Sequence, residues 1–88
     1  MSEEKAKQQL KKEGFRHIYV WQDGPNTQYA EHTHGEYTAH IILDGEMTLN
    51  VGGKEKTYKK GERCDVEAGQ AHSAKMGSKG CRYIIGEK

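Results

Sequence analysis

The sequence predicts an all-β fold, a small antiparallel barrel or sandwich, preceded by one short α-helix. Three observations carry that expectation. From residue 16 onward, short segments rich in β-branched and aromatic residues alternate with glycine-bearing turns. The turns recur roughly every eight to twelve residues, the rhythm of strands joined by tight connections and not of strands alternating with helices. Helix punctuation is confined to the first fourteen residues.

That punctuation is a capping Ser2, the acids Glu3 and Glu4 in the first turn, Lys11 and Lys12 in the last, and Gly14 at the stop. The large apolar residues there are Leu10 and, just past the stop, Phe15. Residues 1–14 are therefore expected to form a loosely docked helical arm ahead of a single barrel domain over 15–88.

RHIYVWQ (16–22) is the first expected strand, and DGPN turns the chain with Pro25, the only proline. TQYAEHTH (27–34) is a second extended segment and GEY a bend. TAHIIL (38–43) is a third strand, expected to end at Asp44-Gly45. EMTLNV and KEKTYK flank Gly52-Gly53, a two-residue hairpin signal. Lys60-Gly61 leads into ERCDVEA, Gly69-Gln70 into AHSAKM, and GSKG into CRYIIG. No linker, repeat or low-complexity segment divides the chain.

Composition narrows the function. A chain of 88 residues buries about 60 to 65 per cent of its unfolded surface, so its core is thin and a disulfide, a metal or a second subunit is expected to help. Cys64 and Cys81 show no CxxC spacing and no wider framework, so both are read as buried thiols. Fourteen basic residues against thirteen acidic ones lack the one-signed excess of a nucleic-acid binder. The N-terminus is polar and no apolar run approaches membrane length, so a soluble cytoplasmic protein without a membrane partner is expected. In IYV and HIIL, apolar residues fall at both parities, which implies strands buried on both faces. With so little on the helix to cover the outer face, a homodimer is expected.

The chemistry gathers in EHTHGEYTAH (31–40), which holds three of the five histidines. Residues two apart on a strand share a face, so His32 and His34 project together and can reach one ion; zinc, for example, takes imidazole nitrogens at about 2.0 to 2.1 Å. An isolated HxH is more often a polar strand face than a site. His40 has the same parity and stands in an apolar strand, where an unpartnered imidazole is costly to bury.

The order of these motifs resembles the cupin superfamily of small β-barrels or jelly rolls. Its first motif carries HxH, an acid and a glycine, and its second a glycine, a proline-x-glycine turn and a histidine. The resemblance covers roughly residues 26–86, with His32, His34 and Gly45 on the first motif and Gly61, Gly69 and His72 on the second. It implies that His32, His34 and His72 are metal ligands inside the barrel. At the position of the family's ligating acid stands Thr38, whose neutral hydroxyl is a poor ligand. Strand parity makes His40 the expected fourth ligand in its place, with Glu36, in the bend, as the alternative. Glu67 stands at the family's usual proline and Met76 at its usual asparagine. Cys64 shares the parity of Val66, which leaves ligation by its sulfur open, though nothing requires it.

A histidine set suits one divalent transition metal, namely zinc, iron, nickel, cobalt, copper or manganese, better than magnesium or calcium. Cupins include oxygenases, isomerases, lyases and non-catalytic binding modules, so the resemblance does not name a reaction. The expectation is a metal-dependent oxygenase or lyase acting on a small organic molecule, or else a metal-stabilised module that binds one without turnover. Tyr29, Tyr37, Met47, Met76 and Tyr83 are the candidate pocket lining.

Overall fold

The computed structural model describes residues 2–88. The elements run α1 (Glu3–Lys12), β1 (His17–Asp23), β2 (Gln28–His32), β3 (Thr38–Val51), β4 (Lys54–Lys59), β5 (Arg63–Val66) and β6 (His72–Glu87). All strand pairs are antiparallel.

Two long strands organise the barrel. β3 and β6 pair along most of their length, with register shifts between Ile42 and Asp44 and between Gly45 and Met47. The first part of β3 also pairs β5, and the last part of β6 pairs β1. The other halves pair β4 and β2. Each long strand thus serves two four-stranded layers, β1-β6-β3-β5 and β2-β6-β3-β4. This corrects two expected strand ends: β3 runs on through Asp44-Gly45, and β6 runs on through GSKG (77–80), which bulges from the β3 ladder at the register shift between Gly45 and Met47.

The inner faces enclose Ile42, Met47, Leu49, Cys64, Val66, Met76, Cys81 and Tyr83. A second cluster lies outside the first layer, where Ala6 and Leu10 of α1 and the following Phe15 cover Ala39, Ile41 and Ile84. The expectation of a loosely docked arm is therefore corrected. Ala6 and Leu10 are fully buried. Sequence reading undervalued the helix because alanine offers little area of its own yet lets a backbone approach closely.

Ion pairs at both ends hold the helix in place. The Arg63 guanidinium donates two hydrogen bonds of 2.7 Å to the Glu13 carboxylate, and Arg82 donates one of 2.7 Å to Glu3. The Arg63 partner holds the Glu13 carboxyl at about 2, well below the usual carboxylate range. α1 thus covers part of the outer apolar face, over Ala39, Ile41 and Ile84, and leaves Ile18, Val20 and Leu43 partly buried beside it.

Leu10→Ala is expected to cost about 3 kcal/mol, because the buried side chain leaves a cavity between helix and sheet. For a domain of this size that corresponds to a melting temperature lowered by on the order of 15 °C. A thermal melt showing a loss below about 1 kcal/mol would mean that the helix is not packed as described.

Candidate metal centre

His32 closes β2 and pairs in register with His72, which opens β6. His34 follows two residues later, beyond the strand end, its carbonyl accepting a 2.9 Å bond from the Gly69 N–H. The three rings converge, with centroids 4.8 Å apart for His32 and His34, 4.4 Å for His32 and His72, and 4.8 Å for His34 and His72. One ligand atom from each lies within 4.8 Å of the others.

Their hydrogen bonds decide which nitrogen is free. Nδ1 of His32 donates to the Ala30 carbonyl at 2.6 Å, and Nδ1 of His72 to the Gln70 carbonyl at 3.1 Å. A carbonyl only accepts, so in the neutral rings the hydrogen sits on Nδ1 and the lone pair on Nε2. His34 reaches the same state through Thr38, whose hydroxyl gives its hydrogen to the Glu36 carbonyl and so accepts from His34 Nδ1, each at 3.2 Å. Thr38, at the position of the expected acid, therefore orients a ligand. Burial, and after it the neighbouring His72 and His32, pushes His34 below the usual imidazole value, which favours its ligating form. Three tautomer-fixed imidazoles of this kind fit a transition-metal ion.

His40 lies on the wall of the same cavity but outside this group of three. Burial pushes it down to about 4, and its Nδ1 is buried without a hydrogen-bond partner. Glu36 is exposed in the bend and does not line the cavity. Cys64 is buried in the inner core, its thiol pushed up to about 12 by burial, which keeps it protonated.

The cavity measures about 260 Å³, below the range usual for drug-sized ligands. Tyr29, Met47, Met76 and Tyr83 line it. Tyr37 does not: it lies on the outer side, packs against Phe15 with centroids 5.9 Å apart, and donates a 2.6 Å bond to Asp65. Its parity is opposite to that of His32, His34, Thr38 and His40, all of which line the cavity, so it faces away from them.

Sequence reading missed the aromatic end of the cavity, where Tyr19 and Trp21 of β1 join Tyr29 and Tyr83. The buried Asp23 organises it. The Asp23 carboxylate accepts 2.6 Å bonds from the hydroxyls of Tyr29 and Tyr83 and a 3.0 Å bond from the Trp21 indole N–H. Both phenols are pushed above their usual value, Tyr83 first by burial and Tyr29 first by its bond to Asp23. The available signal was the alternation Tyr19, Trp21, Asp23, which places a carboxylate in line with two aromatics. It was obscured because Asp-Gly reads as a turn.

A jelly-roll barrel with a converging histidine set at one end of its cavity defines the class. The Cupin domain family model matches residues 19–85, and the chain belongs to that family. Among solved structures it is similar to a protein of unknown function from Rhizobium leguminosarum bv. viciae, with 17% identity and TM-score 0.75, covering 80% of this chain and 66% of that one. It is also similar to a cupin superfamily protein from Desulfitobacterium hafniense, with 16% identity and TM-score 0.71, covering 80% of this chain and 63% of the other. The DMSP lyase DddQ from Ruegeria pomeroyi matches with 18% identity and TM-score 0.73, covering 81% of this chain and 36% of that one. At these identities the likeness is one of fold, and this chain spans less than two thirds of the length of each. No curated protein matches the chain. Among the described residues, no helix is long and apolar enough to cross a membrane.

Proposed function

We propose that His32, His34 and His72 hold one divalent transition-metal ion and that the cavity beside it takes a small organic molecule. The observation that carries this reading is the set of three imidazoles, each with Nδ1 committed to an oxygen and Nε2 left open. A bound ion would polarise a coordinated oxygen of that molecule.

The other residues shape and orient. Asp23 takes the hydroxyl hydrogens of Tyr29 and Tyr83, so these phenols offer a ligand oxygen lone pairs and ring faces. His40, held neutral by burial, is proposed to shape the cavity wall and not to serve as a fourth ligand. Metal-dependent lyase or oxygenase chemistry is the proposed activity. The similarity to a DMSP lyase supports it only as precedent for chemistry on this fold. A second reading, a metal-stabilised module that binds without turnover, draws on the commitment of the Tyr29 and Tyr83 hydroxyl hydrogens to Asp23, which leaves neither free to donate to a substrate.

Elemental analysis of protein purified without added metal tests the centre. About one equivalent of a transition metal is expected, absent from His72→Ala and retained in His40→Ala; a metal-free wild type would remove the proposal. Oxygen consumption or product release from catechols, thiols or keto acids by the loaded protein supports an enzyme. A lowered melting temperature on chelation without any turnover supports the binding module.

A further inference from the structure

The family's acid position is occupied by Thr38, yet the cavity holds a carboxylate directly across the ladder. We propose that Glu87 supplies the metal centre with the carboxylate that position 38 lacks, reaching the histidines from the neighbouring strand. The assignment rests on the three-histidine reading and extends it.

Thr38 and Glu87 are register partners of β3 and β6. Residues opposite one another in an antiparallel pair present their side chains on the same face, with Cβ atoms about 4.5 to 5.5 Å apart. A glutamate at 87 therefore starts one strand over from the place an acid at 38 would occupy; its carboxylate lies outside the converging group of three histidines, and turning about its three side-chain torsions would bring it to them. Its direction follows from the alternation in β6, in which Cys81 and Tyr83 are buried in the inner core and Ile85 packs against it. Glu87 continues that series, lines the cavity and is half-buried.

The backbone at this point is held on both sides. The Arg16 N–H donates to the Glu87 carbonyl at 3.0 Å, and Tyr37 and Lys88 exchange bonds of 2.9 and 3.0 Å. The Glu87 carboxylate faces the Tyr19 hydroxyl, which it pushes above its usual value after burial, and it has no Lys or Arg ion-pair partner among the described residues. Charge balance favours the same assignment, since three neutral imidazoles leave a dication uncompensated and one carboxylate halves that charge.

Cobalt(II) titration of the metal-free protein, read by visible absorption against a competing chelator, tests the proposal. Glu87→Gln is expected to weaken cobalt binding about ten- to a hundredfold and to shift the absorption spectrum. Thr38→Glu added to Glu87→Gln, which returns the carboxylate to β3, is expected to recover most of that loss. His72→Ala abolishes binding in either background. If the wild type binds cobalt and Glu87→Gln matches it in affinity and spectrum, the Glu87 assignment is overturned while the histidine centre stands. If the wild type binds no transition metal, both fall together.

Discussion

Asp23→Ala is expected to lower stability by about 3 kcal/mol and to loosen the aromatic end of the cavity. The carboxylate is 7% exposed, and the charge is stabilised by three donors, with no ion pair to a Lys or Arg among the described residues. Removing it strands the hydroxyl of Tyr83, which is itself 4% exposed, and an unsatisfied buried donor costs roughly 1 to 3 kcal/mol. Trp21 and Tyr29 lose less because both are partly exposed and water can replace the carboxylate. Tyr83→Phe alone is expected to cost less, since the acceptor keeps two donors. The double variant should fall short of the sum of the singles by about 1 kcal/mol or more, the signature of a shared network. Urea unfolding of the four proteins supplies the cycle, and additive effects would mean that the 2.6 Å bond from Tyr83 to Asp23 carries no coupling.

The same residue marks where sequence reading reached its limit. His32, His34 and His72 were legible because their chemistry is rare, their spacing matches strand geometry, and motifs far apart in the chain agreed. The barrel was legible from its turns. Asp23 was not, because an aspartate before glycine carries the same local signal whether it turns the chain or accepts three hydrogen bonds. The helix was judged by its large apolar residues alone, although the burial of Ala6 in the cluster with Ala39 and Ile84 depends on close approach as much as on size. Glu87 was invisible for another reason. Its relation to Thr38 exists only through the pairing of β3 with β6, which joins residues 49 positions apart. Local pattern locates chemistry along one strand, whereas a carboxylate on the adjacent strand needs the register.

Gly45→Ala is expected to be the most damaging small substitution in the chain, and Asp44-Gly45 is also where sequence reading placed a turn. Gly45 has φ +78°, a value common in turns, but it sits inside β3 where that long strand passes from one layer to the other. A Cβ there would collide with the Gly80 carbonyl oxygen, and one at Gly80, also at φ +78°, would collide with the carbonyl oxygen of Asp23. These atoms are backbone and cannot swing aside. The two glycines therefore let β3 and β6 cross closely at the bend that folds the ladder around the cavity, and they hold the strand end that carries Asp23. Gly53 isolates the conformational part of the effect: it has φ +83° but nothing within 4 Å of an added Cβ. Gly53→Ala should cost only the left-handed strain, about 1 to 2 kcal/mol. Gly45→Ala adds the collision and should exceed it by about 2 kcal/mol or more, a large part of the 5 to 15 kcal/mol typical of a whole domain. Because the displaced backbone leads to Asp23, Gly45→Ala should also reshape the aromatic end of the cavity, and the emission of Trp21, the single tryptophan, should shift toward a more solvated indole. Equal denaturation midpoints for the two variants would show that the close crossing of β3 and β6 places no demand on the residue at 45.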